Sequence, residues 1–327
     1  MGKDMYRIGV DVGGTNIAIG LVDEAYNIVV KTSIKTSEAS EPEQMIDAIA
    51  LTIKKILVDK DLSESDIEAI GVGVPGTAEL TTGRIMYANN LGFEEVPFLP
   101  KLKEALGTEL GSKTSFDNDG NAAAIGEYIT GGYDVDNFMM VTLGTGIGGG
   151  IIINRKLLRG VNFAAAEFGH MTINLDGVDC NCGRKGCFED YASATSLMNQ
   201  AKEAMEKDVD KESLLWQLCG KAENADGEIF FEAVRRKDRL ALEVLDGFTT
   251  YLSEGITNLI NILQPDVLVL SGGITRAADL FLDDLKKKVA KGIYSRTSEK
   301  NTEIMLAHGI SDAGDVGIIG AALIDRG

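Results

Sequence analysis

The sequence is poor in cysteine, histidine and tryptophan. Its 327 residues include only four cysteines, two histidines and one tryptophan. The first residues, MGKDMYRIGVDV, lack the apolar core and small-residue cleavage site of a secretory leader. Since disulfide frameworks belong to cysteine-rich exported domains, we expect a cytoplasmic protein whose cysteines are thiols or metal ligands.

Positive charge is also scarce. Lysine and arginine number 32 against 50 acidic residues, which gives a net charge of −18. Such a chain repels nucleic acid and anionic lipid, and no apolar run approaches the roughly 20 residues of a membrane span. We therefore expect neither nucleic acid nor a membrane as a partner. A phosphate group would have to be bound locally, by backbone N–H groups and a cation.

The chain is long enough for two domains with a cleft between them, and strands alternate with helices in an α/β pattern. Residues 6–12 and 17–22 predict a hairpin around the turn GGTN, and residues 138–153 repeat the design around GTG. The repetition indicates a duplicated half. Further on, the apolar spacing predicts helices at about 191–207 and 239–263.

The two glycine turns are candidate phosphate sites, because glycine allows successive N–H groups to approach an anion closely. The residues concerned are Gly13, Gly14 and Thr15 in the first turn, and Gly144, Thr145 and Gly146 in the second. The alternative is that both are ordinary hairpin turns. A dinucleotide fingerprint is rejected for GTGIGG because a strand follows it, and the glycine and lysine spacing of LGTELGSKT does not form a P-loop.

Three of the four cysteines lie close together, in DCNCGRKGCFED. Cys180, Cys182 and Cys187 follow His170, and together they offer the donor set that tetrahedral zinc prefers. With four protein ligands the shell is closed to water, which predicts a structural zinc. A chance cluster of buried cysteines is the alternative.

Acidic residues stand near both features. Asp119, in FDNDGNAAA, lies at a strand-to-helix junction, where it could be the helix N-cap or a general base. Glu167 and Glu189 flank the cysteine cluster, which would hold them rigidly enough to bind a polyol. Surface exposure is the alternative for these two glutamates.

Taken together, these segments resemble the ROK family of sugar kinases and repressors, and within it the bacterial ATP-dependent glucokinases. The matching motifs run nearly end to end: DVGGTN, GVPG, NNLGF, DNDGNAAA, LGTGIGGG, EFGH, CNCGRKGCFEDYASATSL, LSGGI and DAGDVGIIGAA. The resemblance implies an actin-like duplicated ATPase fold. Its domains would be a small one at 1–116, completed by a C-terminal helix at 313–327, and a large one at 117–312 that carries the zinc knuckle.

The resemblance also implies residue roles. Asp119 would take the proton from the sugar 6-hydroxyl as it attacks the γ-phosphate of ATP. Asp11 would hold Mg²⁺ through water, the two glycine turns would bind phosphates, and Gly272 and Gly273 would lie against the adenosine. The sugar would be bound by a larger set that includes the zinc ligand His170: Gly76, Asn90, Asn118, Asp119, Glu167, His170 and Glu189.

The expected function is the phosphorylation of glucose to glucose 6-phosphate by a homodimer or homotetramer. Kinases for N-acetylmannosamine, N-acetylglucosamine, allose or fructose are alternatives, as is a sugar-sensing repressor, although the first strand begins too early for an N-terminal DNA-binding module. A glycoside hydrolase that uses Glu167 and Glu189 would leave the two glycine turns unexplained. Phe163 and Ala166 stand where relatives often carry glycine, and His308 stands where an apolar residue is common.

Overall fold

The structure is a computed structural model, and it describes residues 4–309 and 315–327. The chain divides into two compact units. The first unit comprises Met1–Met139, Gly149–Ala166 and Ala307–Gly327, and the second comprises Met140–Gly148 and Glu167–Leu306. The predicted domain boundaries at 116/117 and 312/313 stay a prediction, because compactness does not define which segments move together.

The strands confirm both predicted glycine hairpins. In chain order they are β1 Tyr6–Val12, β2 Asn16–Val22, β3 Ile28–Lys35, β4 Ile67–Val74, β5 Thr77–Glu79, β6 Arg84–Ala88, β7 Phe93–Val96, β8 Thr114–Asn118, β9 Phe138–Leu143, β10 Ile147–Ile153, β11 Lys156–Leu157, β12 Val267–Ser271 and β13 Glu303–Leu306. The GGTN turn joins β1 to β2, and the GTG turn joins β9 to β10.

The strands form two five-stranded sheets of matching order and one small sheet. The first sheet runs β3-β2-β1-β4-β8, the second runs β11-β10-β9-β12-β13, and β5, β6 and β7 form the small one. In the first sheet β1 pairs antiparallel with β2 and parallel with β4, which in turn is parallel to β8. In both large sheets the first strand of the glycine hairpin is central, as expected for a duplicated fold.

The helices lie between the strands as an α/β fold requires. They are α1 Pro42–Asp59, α2 Phe98–Leu106, α3 Thr108–Ser112, α4 Asp119–Thr130, α5 Glu189–Ala192, α6 Ala194–Lys207, α7 Leu214–Cys219, α8 Gly227–Arg235, α9 Arg239–Leu263, α10 Leu282–Gly292 and α11 Val316–Ala322. The prediction for 239–263 is confirmed. The helix predicted at 191–207 is two helices, because Ser193 is extended and caps α6. None of the helices in residues 4–309 and 315–327 is long and apolar enough to cross a membrane.

The C-terminal helix α11 packs against β1 and β4 of the first sheet. Its close approach depends on two glycines, since a β-carbon at Gly9 would overlap the Ile318 carbonyl oxygen and one at Gly71 would overlap that of Ala321. Arg7, almost fully buried, donates from Nη1 to the Ala322 carbonyl oxygen at 3.0 Å. The last turns of the chain are thereby fixed beneath the strands that carry part of the predicted site. Residues 313 and 314 of the predicted helix lie outside the described residues.

Candidate active site

Three parallel strands of the first sheet end at the same edge, where α/β folds present their ligands. Asp11 on β1 is in register with Gly73 on β4, and Gly73 with Asp117 on β8. Gly76 follows β4, and Asn118 is the last residue of β8. The Nδ2 of Asn118 donates to the Gly76 carbonyl oxygen at 2.9 Å. The pairing of these strands therefore gathers predicted site residues that are more than 100 positions apart in the sequence.

Helix α4 begins with the predicted base. Asn118, rather than Asp119, is the N-cap: its Oδ1 accepts from the Gly120 N–H at 2.8 Å and the Asn121 N–H at 3.2 Å. Asp119 is the first helical residue, is exposed, and also accepts from the Gly120 N–H at 2.8 Å. The capping role considered for Asp119 is thus wrong, because the preceding amide satisfies the free N–H groups.

The first glycine turn is braced from outside the hairpin. The buried Thr36 donates from its hydroxyl to the Gly13 carbonyl oxygen at 2.8 Å and from its N–H to the Thr15 carbonyl oxygen at 2.9 Å. Gly14 and Thr15 are exposed, and a β-carbon on Gly14 would lie 3.5 Å from the β-carbon of Asn90. The turn that was predicted to bind phosphate therefore lies beside a residue that was predicted to bind sugar.

A buried ion pair beneath this edge escaped sequence reasoning. Asp117 is 1% exposed, and its Oδ2 accepts from Arg159 Nε at 2.8 Å. Its Oδ1 accepts from the Asn118 N–H and from Asn121 Nδ2, each at 2.8 Å. No motif marks the pair, because 42 residues separate its members and only the fold brings them together.

The second unit contains the predicted metal ligands. The Nδ1 atom of His170 lies 3.7 Å from Cys180 Sγ, and Cys182 Sγ lies 3.6 Å from Cys187 Sγ. All four donor atoms lie within 4.8 Å of one another. A zinc tetrahedron with bonds of about 2.0–2.3 Å has edges of about 3.6–3.8 Å, so this donor set fits zinc in chemistry and in spacing.

The metal-ligand segment has little regular secondary structure. Two isolated β-bridges, Thr172 with Cys187 and Asp179 with Lys185, hold its two ends together. Gly183 and Gly186 both have positive φ, and a β-carbon at Gly186 would overlap the Asn174 carbonyl oxygen. The chain therefore turns tightly at two glycines between Cys182 and Cys187.

The second glycine turn adjoins the metal cluster. Glu189 accepts from the Ile147 N–H at 3.3 Å through Oε2, and the same oxygen closely approaches Gly146. Its Oε1 lies 3.4 Å from His170 Nδ1 and accepts from Cys180 Sγ at 3.6 Å. Glu189 thus connects a predicted phosphate turn to the predicted zinc ligands.

This turn also borders a cavity of about 860 Å³. Gly144, Thr145 and Gly273 line it, and the adjoining Gly272 approaches the Leu143 carbonyl oxygen so closely that a side chain would not fit. Sequence reasoning found these glycines but missed the helical residues that complete the wall, since they carry no motif: Leu197, Met198, Leu218, Ile229, Phe231 and Arg235.

Burial changes the acidity of three site groups. It raises the pKa of the Asp11 carboxyl, which makes no hydrogen bond or ion pair with any residue in the described ranges. Burial likewise raises the pKa of the Glu167 carboxyl, although the residue as a whole is exposed, and of the Cys180 thiol. A nearby cation would oppose each of these shifts by stabilising the anionic form.

Comparisons with known proteins show the family to which the chain belongs. The profile of the ROK family matches residues 7–326. The chain belongs to the ROK family. Its relatives in that family include a glucokinase of Halalkalibacterium halodurans, 37% identical over 96% of this chain and 94% of that protein. The xylose repressor of Bacillus subtilis is 28% identical over 90% of this chain and 71% of its own length.

A solved ROK structure extends the comparison to the fold. The glucokinase of Streptomyces griseus, in complex with glucose and AMPPNP, is 31% identical, with a TM-score of 0.79 over 97% of this chain and 98% of that one. The predicted family and the predicted actin-like sugar-kinase fold are therefore confirmed. The roles of the individual site residues stay predictions.

Proposed function

We propose that the protein phosphorylates glucose at the 6-hydroxyl with ATP. The observation that supports it most is the full-length similarity to a glucokinase that binds glucose and a nucleotide analogue, together with the residues gathered around the two glycine turns. Phosphoryl transfer needs mainly alignment and charge neutralisation, which backbone N–H groups, one base and a cation supply.

In this proposal Asp119 is the general base. Its carboxylate takes the proton from O6 while O6 bonds to the γ-phosphorus and the bond from that phosphorus to ADP breaks. The exposed position at the start of α4 leaves the carboxylate accessible to a sugar hydroxyl. The helix N-terminus also favours the negative charge of the ionised form.

Sugar recognition is assigned to two groups of residues. Asn118, Gly76 and Asn90 belong to the first. Glu167, His170 and Glu189 belong to the second, where His170 Nδ1 faces Cys180 Sγ and leaves Nε2 for a hydroxyl. Cys180, Cys182, Cys187 and His170 would hold zinc, whose part is to fix this histidine and its neighbours in place.

The nucleotide is assigned to the glycine turns and to the 860 Å³ cavity. The cavity is within the ordinary range for ligand pockets, roughly 300–1,000 Å³, and its apolar wall suits a purine. Gly272 and Gly273 would lie against the adenosine, and the two turns would donate to phosphates. Asp11 would hold the Mg²⁺ that accompanies ATP and neutralises phosphate charge, consistent with a half-buried carboxylate that has no partner among the described residues.

The test is a coupled assay of ADP release with Mg-ATP and each of glucose, N-acetylmannosamine, N-acetylglucosamine, allose and fructose. We expect kcat/KM for glucose to exceed that for every other sugar by at least about tenfold, since pockets that hydrogen-bond hydroxyls discriminate strongly. A higher value for another hexose would reassign the substrate. Sugar binding in a calorimeter without any ADP release would favour a sensing role like that of the xylose repressor.

A further inference from the structure

Asp117 directly precedes the two residues proposed to act on the sugar. It is buried, and three hydrogen bonds surround its carboxylate: from the Asn118 N–H, from Asn121 Nδ2 and from Arg159 Nε, each at 2.8 Å. Two of these bonds reach the first turn of α4 or its cap. The only described cation paired with this carboxylate is Arg159, whose side chain is 23% exposed. The position of the α4 start is therefore linked to one arginine.

The main chain of Arg159 organises a second segment. Its carbonyl oxygen accepts from the Ala165 N–H at 3.1 Å and so closes the loop over residues 158–166. The loop begins at Leu158, whose N–H donates to the Ile151 carbonyl oxygen at 2.8 Å on β10. It ends at Ala166, next to Glu167 in the chain. Arg159 thus holds the loop that leads directly into a proposed sugar ligand.

The conformation of this loop indicates that its surroundings hold it firmly. Phe163 has a φ of 62° and Ala166 a φ of 71°, in the left-handed region that non-glycine residues rarely adopt. Such conformations persist only where the neighbouring structure over-determines them, and they cluster at functional sites. The hydrogen bonds of Arg159 supply a restraint of this kind at one end of the loop.

We propose that Arg159 is a positioning residue for the phosphoryl transfer. Its side-chain bond to Asp117 holds the helix start that carries Asp119. The same bond fixes the position of the Arg159 main chain, whose carbonyl oxygen closes the loop that leads to Glu167. This inference rests on the proposed function for the roles of Asp119 and Glu167. Arg159 itself touches neither substrate nor reacting atoms in this proposal. Removal of its side chain should therefore disturb the alignment of Asp119 and Glu167 with the sugar and leave nucleotide binding intact.

The main experiment compares Arg159→Ala with Arg155→Ala. Arg155 is a matched control, because it belongs to the same unit and pairs with Asp134 and Asp136, yet it is 53% exposed. We expect Arg159→Ala to lower kcat by about 100-fold, the effect of an alignment error near 1 Å, and to raise the KM for glucose. The KM for ATP should change less than threefold, and Arg155→Ala should change neither constant by more than twofold.

Two further measurements separate positioning from a general loss of folding. Millimolar guanidinium should restore part of the kcat of Arg159→Ala, and Arg159→Lys should retain more activity than Arg159→Ala because it keeps the charge. In a double-mutant cycle of Asp117→Asn with Arg159→Met, the double variant should lose no more activity than the worse single variant, since the two residues act as a unit.

Hydrogen exchange provides a readout that does not require turnover. Arg159→Ala should exchange faster than wild type at residues 117–121 and 158–166 together, whereas Arg155→Ala should leave both segments unchanged. If wild type transfers phosphate to no sugar, the proposed function fails and this exchange pattern alone decides the coupling. Three results would overturn the proposal. One is a folded Arg159→Ala whose kcat lies within threefold of wild type, and another is a rise in the KM for ATP as large as that in the KM for glucose. The third is faster exchange in only one of the two segments.

Discussion

The two groups of site residues are held in place by different physical means. In the first unit, Asn118 ends the parallel strand β8 and caps α4, and Asp119 begins that helix, so backbone hydrogen bonds and a cap fix them. In the second unit, His170 ends a short 3₁₀ turn and Glu189 begins the four-residue helix α5. The segment that links them has isolated bridges and, with His170, supplies four candidate zinc donors. One group depends on secondary structure, and the other depends on donor atoms that a metal would connect.

This difference implies different sensitivities. A site residue at a strand–helix junction is held by the backbone hydrogen bonds of the sheet and the helix. Replacing its side chain should therefore lower the reaction rate and leave the fold intact. A segment held by a metal gains its order from binding free energy, so the loss of one donor should disturb local structure and sugar binding together. Three substitutions test the contrast, one in each group and one where the two units meet in the sequence.

The largest effect is expected from the first group. Asp119→Asn should lower kcat by about 10²–10⁴, the usual contribution of a general base, with unchanged melting temperature because the cap is Asn118. The measurement is steady-state kinetics with glucose and ATP, alongside a thermal melt. Asp134→Asn, an exposed aspartate of the same unit, is the control and should behave as wild type. Turnover within a few-fold of wild type would remove Asp119 from the role of base.

A smaller but broader effect is expected from the second group. Cys187→Ser should abolish stoichiometric zinc, lower the melting temperature and raise the KM for glucose by at least about tenfold, since metal fixes the sugar-binding side chains. Metal analysis, a thermal melt and kinetics give the three readouts. Cys219→Ser is the control, because Cys219 lies outside the donor cluster on α7. Active wild-type enzyme without zinc would contradict the idea.

The smallest effect is expected at the end of the strained loop. Ala166→Gly should stabilise the protein by up to about 1 kcal/mol, because glycine adopts a positive φ without strain. This gain should exceed the cost of the greater conformational entropy that glycine gives the unfolded chain. Ala165→Gly, at a residue without positive φ, should instead destabilise by about 0.5–1 kcal/mol. Denaturant titrations of both variants measure the difference. Equal destabilisation by the two substitutions would mean that the loop stores no strain.

Much of the candidate site was predictable because its residues lie in short segments with characteristic patterns. The glycine turns, the cysteine knuckle and the sequence before α4 each need particular residue types at fixed spacing. Helix α9 was predictable too, since its buried residues recur with helical periodicity over 25 residues. The break at Ser193 was not, because a single capping serine interrupts an otherwise helical pattern.

The sequence by itself determined the family, the duplicated α/β fold, the candidate zinc donors and the candidate base, because each depends on a local pattern of residues. Only the tertiary structure decided that Asn118 caps α4, that Glu189 adjoins the second glycine turn, that helices α6 to α8 wall a cavity, and that Arg159 pairs with Asp117. These features join residues distant along the chain. Their contacts exist only once strands have paired and helices have packed, so no local pattern records them.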